Sequence, residues 1–247
     1  DVGRVVGDHL AEDAAPDQLH RGAAKTGRQH AVERGRPAAA LQVTEHHVPG
    51  LLPGELLELP GHALIPGLVN THTHAAMALM RGLADDLPLM RWLEEHVWPA
   101  EAKHVSPEFV RDGTLLACAE MLRGGITCFN DMYYFPGAAL EAALAAGMRS
   151  SHGMIVIEFP SSYACDAADY LRRGLELRDR YAGHPLASFC LAPHAPYTVS
   201  DDSFRRIATL AAELDVPVHV HLHETSDEVE RSVAQHGVRP IERLQRL

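Results

Sequence analysis

The stretch at 66–77, PGLVNTHTHAAM, sets His72 and His74 one residue apart where an apolar run gives out. Side chains at i and i+2 of a β-strand share a face, so these imidazoles would stand side by side at a strand end. Two ring nitrogens so placed can share a metal ion, but two histidines on a polar strand end would have the same spacing. A second group, HVHLHE at 219–224, carries His219, His221 and His223 on one face, followed at once by Glu224. The solvent face of an edge strand would read the same way. A third stretch, PHAPYT at 193–198, presents His194 between two prolines; on its own it is a turn residue. Together, histidines at three strand ends favour a metal site. Zinc is the first choice, because imidazole nitrogen and carboxylate oxygen suit it and catalytic zinc keeps a position open for water. His96 and His104 on polar helical stretches, and His152 inside a strand, receive no role.

The elements that must position these groups follow a regular alternation. Apolar runs at 63–70, 126–131, 149–159, 186–193 and 216–223 read as strands. Between them, helical patterns fall at 106–125, 137–148, 166–181 and 200–215, with a fifth at 225–237. Several open on Ser or Asp as an N-cap and two close near Gly. Strands alternating with helices of this length mean βαβ units and a parallel sheet, hence an α/β fold. Five units could complete a doubly wound sheet, or could be five-eighths of a (β/α)8 barrel, which takes about 250 residues in full. No G-x-G-x-x-G or P-loop motif follows any strand, which counts against a nucleotide-binding doubly wound sheet. In both architectures sites gather at the C-terminal strand ends, where His72, His74, Asn130, Asp131, His194 and the 219–224 group lie.

Composition narrows the partners. A net charge of −11 among 247 residues argues against nucleic-acid binding. No apolar run approaches the ~20 residues of a membrane span, and the opening residues lack the apolar core of a secretion signal. Four cysteines without a C-x-x-C pair fit reduced thiols, so a cytoplasmic location is expected. Residues 1–50 lack Ile, Phe, Tyr, Trp, Met and Cys and hold neither strand nor helix period for long. They read as a solvated leader or as a shifted reading frame in a GC-rich gene.

Five stretches then carry a specific resemblance: ALIPGLVNTHTH, RGLADDLPLMRWLEEHVWPAEA, GGITCFNDMYYF, APHAPYTVSDDSFRRI and HVHLHETSDEVE. In content and order they resemble the amidohydrolase superfamily, and within it the branch of 5-methylthioadenosine/S-adenosylhomocysteine deaminases. The similarity runs from about Leu57 to Leu247. It implies a partial TIM-type (β/α)8 barrel over 56–247, preceded at 1–55 by an atypical segment where the family has part of a small β-sandwich.

The resemblance also implies roles. His72 and His74 would be metal ligands from the first barrel strand and His221 a third from the fifth strand. Glu224 would be the acid/base and His194 would stand beside the substrate. Glu101, in WPAE, would contact ribose hydroxyls. The cofactor would be one divalent ion, Zn2+ or else Fe2+. The reaction implied is hydrolytic deamination at C6 of an adenosine derivative, with Glu224 delivering a proton to ring N1 and release of ammonia. The family's further histidine after strand six and metal-binding aspartate after strand eight have no counterpart here. The expectation is therefore a fragment that is inactive alone, its fifth strand left with an open edge, drawn from an enzyme able to form a homo-oligomer. Alternatives are a related hydrolase acting on guanine, cytosine or chlorotriazines, and a metal-binding half-barrel without catalysis.

Overall fold

A computed structural model describes residues 60–247 and the backbone of a two-residue strand, Val5–Val6. The atypical segment expected at 1–55 lies almost wholly outside the described residues. By contact pattern the chain divides into Asp1–Leu10 with Pro66–Leu247, and Ala11–Ile65; of the latter, only the exposed residues 60–65 are described.

Six parallel strands form one sheet in the order β1-β6-β5-β4-β3-β2. They are β1 (Val5–Val6), β2 (Leu68–Thr73), β3 (Ile126–Asp131), β4 (Arg149–Val156), β5 (Ala187–Pro193) and β6 (Val218–His219). From β2 to β6 each strand pairs with the next in sequence, the progression of a curling barrel wall rather than a doubly wound sheet with a reversal of order. The edge of β6 expected to be open carries β1, with Val5 opposite Val218 and Val6 opposite His219.

The helices are α1 (Leu89–Trp92), α2 (Trp98–His104), α3 (Pro107–Arg123), α4 (Pro136–Ala145), α5 (Ala167–Arg180), α6 (Asp201–Leu214), α7 (Ser226–His236) and α8 (Pro240–Gln245). Four of them start where a short polar side chain accepts the third helical N–H: Ser106 from Phe109, Asp166 from Asp169, Ser200 from Ser203 and Thr225 from Glu228. Each cap satisfies a donor that helix geometry leaves over. Helix α7 stops at Gly237, whose φ of 73° suits the left-handed C-cap. Strand ends moved more than helix ends. The first strand runs to Thr73 rather than stopping at Asn70, because Thr73 pairs with Asp131 across a register shift. The last shrinks to two residues, Val218–His219, although the N–H of His221 still bonds to the His194 carbonyl beyond β5.

The loop from 81 to 104, given no element above, holds α1, a π-helical stretch Leu93–Val97 and α2. A π-turn widens a helix by one residue and is common near functional sites; here it precedes Glu101. Alternate residues of β4 face opposite ways. Met154 and Val156 pack under the helices with Leu171, Leu191, Phe204 and Ile207, whereas Ile155 and Ile157 join Met132, Tyr133 and Ala192 beneath the strand ends. His152 belongs to the helix-facing side; it is wholly buried against Phe129, with its Nε2 on Ser150 Oγ. Gly113 is required for a close approach. A Cβ there would lie 2.4 Å from the carbonyl oxygen of Ala76, so only glycine lets α3 lie against the 3-10 stretch Ala75–Met80 that follows His74. No helix among the described residues is long and apolar enough to cross a membrane.

Candidate functional site

Three ring nitrogens converge at the C-terminal ends of the strands. His221 Nε2 lies 3.2 Å from His72 Nε2 and 3.2 Å from His74 Nε2. The opposite ring nitrogens show what these atoms carry. His74 Nδ1 faces the carbonyl of Met132, and His221 Nδ1 lies 2.9 Å from the carbonyl of His194. A carbonyl only accepts, so both Nδ1 atoms carry the hydrogen and both Nε2 atoms present lone pairs. Burial, reinforced by His221, pushes the His74 pKa down to about 3, although the Met132 carbonyl opposes this. The ring is therefore neutral at pH 7. Two lone pairs cannot hydrogen-bond to each other across 3.2 Å, but they suit a shared cation. Ligands at 2.0–2.1 Å in a tetrahedral zinc site stand about 3.3 Å apart, so the donor set fits that group. Among the described residues, these three form the cluster of His, Cys, Asp and Glu side chains able to hold a metal ion.

The backbone around the triad is braced from several strands. The His194 carbonyl also accepts the backbone N–H of His221 at 3.0 Å, tying β6 to the end of β5. Asp131, 2 % exposed, accepts the N–H of Ala75 at 2.8 Å and so holds the chain just after His74. Burial raises the Asp131 pKa to about 7 against the pull of its backbone hydrogen bonds.

His194 stands beside the triad, its ring 5.0 Å from that of His221. Thr198 donates its hydroxyl proton to the Ala195 carbonyl, so its oxygen accepts from His194 Nδ1 at 2.9 Å. His194 Nε2 is then an acceptor, and burial, with His221 and His72 nearby, takes the ring's pKa down to about 3. Glu224 lies past the last turn of the strand. Its Oε2 accepts from the Tyr197 hydroxyl at 2.8 Å. Its N–H and that of His223 donate to the buried carboxylate of Glu228, at 2.7 and 3.2 Å. Glu101 reaches the same cavity from α2 and accepts from the Tyr133 hydroxyl at 2.8 Å. Burial raises the Glu101 pKa to about 7, and the Tyr133 bond offsets part of that rise. Trp98, Tyr133, Tyr197 and Ile157 complete an apolar and aromatic wall around these polar groups.

All six residues singled out in the sequence thus meet at one place. His72, His74 and His221 form the triad, and His194, Glu101 and Glu224 line the cavity beside it. Asp131 and Asn130, at the end of β3, do not join the cluster. Three contributors went unnoticed in the sequence: Tyr133, Tyr197 and Glu228. The spacing T-x-x-E at 225–228 is the capping-box pattern and could have drawn attention to Glu228. Nothing in spacing could have pointed to the tyrosines.

Comparison with known proteins gives the family. The model of the amidohydrolase family matches residues 63–246. The chain is 52% identical over 190 residues, 77% of its length, to a 5-methylthioadenosine/S-adenosylhomocysteine deaminase of Saccharophagus degradans, and spans 43% of that protein. An adenosine deaminase of Xanthomonas campestris crystallised with bound zinc shares the fold with a TM-score of 0.72 and 53% identity, over 73% of this chain and 41% of that one. An atrazine chlorohydrolase of Arthrobacter aurescens, complexed with zinc, has a TM-score of 0.66 at 24% identity, over 73% of this chain and 46% of that one, a likeness of fold alone. The chain therefore spans less than half the length of each of these relatives.

Proposed function

The chain belongs to the amidohydrolase family, and from that premise we propose that the protein it forms part of is a metal-dependent hydrolase. Its substrates are adenosine derivatives such as 5'-methylthioadenosine and S-adenosylhomocysteine, converted to inosine derivatives with release of ammonia. The observation that supports this reading most is the convergence of ring nitrogens from His72, His74 and His221, with the Nε2 lone pairs of His74 and His221 turned inward. One divalent ion, zinc first and iron second, would be held there. When bound, it would supply Lewis-acid activation of water near neutral pH.

The remaining work falls to side chains. Glu224 would deliver a proton to ring N1 and then assist the departing ammonia, while the proton released by water would pass to a group outside these residues. The Tyr197 hydroxyl orients the carboxylate for both transfers. Burial beside Glu224 pushes the Tyr197 pKa far up, so this hydroxyl keeps its proton and acts only as a donor. His194 would hold the substrate by accepting a hydrogen bond at Nε2. Glu101 would take ribose hydroxyls on the oxygen that Tyr133 leaves available. A buried carboxylate without those hydroxyls is poorly solvated, so a free base such as guanine or cytosine would be disfavoured. Groups outside these 247 residues would complete the barrel and the coordination.

The test is ammonia release by the full-length protein loaded with zinc. 5'-Methylthioadenosine, S-adenosylhomocysteine and adenosine should turn over, and guanine, cytosine and a chlorotriazine should not. Turnover of a free base alone would reassign the substrate. Stoichiometric zinc binding without turnover of any of them would leave a metal-binding protein without catalysis as the reading.

A further inference from the structure

One rung below the triad, the wall of the barrel carries polar groups where side chains usually fill the interior with apolar atoms. His219 is 6 % exposed and Cys190 1 %, and neither enters the chemistry above. His219 Nε2 lies 2.8 Å from His72 Nδ1, and their rings meet edge to face at 4.9 Å. On its other side, His219 Nδ1 lies 3.2 Å from Asn130 Nδ2, and Asn130 Oδ1 lies 3.6 Å from Cys190 Sγ. We propose that His219 and Asn130 are positioning residues that fix which ring nitrogen of His72 faces the metal. The proposal rests on the metal reading of the triad.

The proton assignment follows from counting donors along the chain of contacts. His74 and His221 take their tautomers from backbone carbonyls, which only accept. His72 instead meets another imidazole, which can donate or accept, so its tautomer depends on the next contact. If the Asn130 amide donated to His219 Nδ1, the His219 proton would sit on Nε2 and point at His72 Nδ1. His72 would then carry its own proton on Nε2, aimed at His221 Nε2 and into the cation site. The reverse order works. With the amide turned over from its placement here, Asn130 Oδ1 would accept from His219 Nδ1–H, His219 Nε2 from His72 Nδ1–H, and His72 Nε2 would offer a lone pair. The amide then turns its NH2 toward Cys190 Sγ, a weak acceptor. An amide has the same shape in both orientations, and its partners decide between them. Groups of this kind behind a metal-bound histidine typically change metal affinity 10–100-fold when removed.

The full chain, stripped of metal and titrated with zinc against a chelating dye, tests this directly. His219→Leu and Asn130→Leu should each weaken zinc binding by about 10–100-fold. His219→Gln, which can place an acceptor oxygen near the position of Nε2, should retain most of the affinity, and Asn130→Asp, which can only accept, should retain it as well. Nitrogen-15 spectra of the metal-free chain should show His72 protonated at Nδ1, and should show both tautomers in His219→Leu. If His219→Gln weakens binding as much as His219→Leu, the role is packing and the proposal is overturned. Loss of affinity in Asn130→Asp would mean the opposite proton order and would overturn it too. If a leucine variant does not fold, the isosteric Asn130→Asp decides alone. No zinc binding by the unsubstituted chain would overturn the metal reading along with the proposal, whereas binding unaffected by all four changes would overturn the proposal only.

Discussion

The ends of β2 and β6 carry the same i, i+2 histidine spacing, yet the structure uses them differently. At β2 both His72 and His74 aim Nε2 at the common point. At β6 only the middle of three does so. His219 lies one rung too deep and meets His72 from behind. His223 sits at φ 58°, a left-handed conformation that turns it out of the row, and its Nε2 accepts the N–H of Ile241 instead. Periodicity places side chains on a face, but the depth of a residue in the barrel and the turn that follows decide what it meets. The left-handed residue itself is held in place, because Glu228 takes the N–H groups of His223 and Glu224 together.

That contrast can be broken deliberately. The largest effect should come from His221→Ala set against His223→Ala. The first should abolish stoichiometric zinc binding and the second should leave it unchanged, by metal analysis of dialysed protein. Equal losses would mean that the turn after β6 does not separate the two histidines. Next, Glu224→Gln in the full-length enzyme should lower kcat by roughly 10²–10⁴ with zinc content intact, as expected for a proton-transfer group that does not bind the metal. Loss of zinc in that variant would move Glu224 into the ligand set.

Two carboxylates that support the site sharpen the comparison further. Glu101 is buried and its pKa rises from 4.5 to about 7. Below pH 4.5 it is protonated in both folded and unfolded chains. Between 4.5 and 7 the unfolded chain gives up its proton first, so the folded state loses stability as pH rises, by up to about 3 kcal/mol. Glu101→Gln should therefore stabilise the chain at pH 8 relative to pH 5, which denaturant titrations at the two values would measure; the same gain at both would remove Glu101 from a desolvated site. Glu228→Ala should have the smallest effect. Two donors would be left unpaired, for about 1–3 kcal/mol of stability. In the full-length enzyme kcat should fall with little change in zinc affinity, since the Glu224 backbone is freed while His221 keeps its own carbonyl.

Much of this was legible beforehand, for reasons visible in particular residues. Ser106, Asp166 and Ser200 announce helix starts through chemistry local to three residues, and all three hold. His72, His74, His194 and His221 could be marked because they sit where parallel strands end, and Glu101 and Glu224 through the family resemblance; the fold brings all six together. The contacts that settle their chemistry could not be marked. The acceptor for His74 is 58 residues away at Met132 and that for His221 is 27 residues away at His194, both backbone carbonyls with no residue signature. The outward turn of His223 also depends on Glu228 and Ile241, whose types have many other uses. The short α8 was missed as well, although its Arg243 donates to Asp201 and to the Pro196 carbonyl and so holds the loop that carries Tyr197.

The central claim is that three imidazoles, each through Nε2, hold one metal ion. Zinc K-edge absorption on the zinc-loaded chain tests it most directly. The account predicts one zinc per chain, three imidazole nitrogens at about 2.0–2.1 Å, no sulfur, and loss of the signal in the His72→Ala, His74→Ala, His221→Ala triple variant. Zinc bound by fewer than three imidazoles, or a sulfur ligand, or binding that survives the triple substitution, would contradict it.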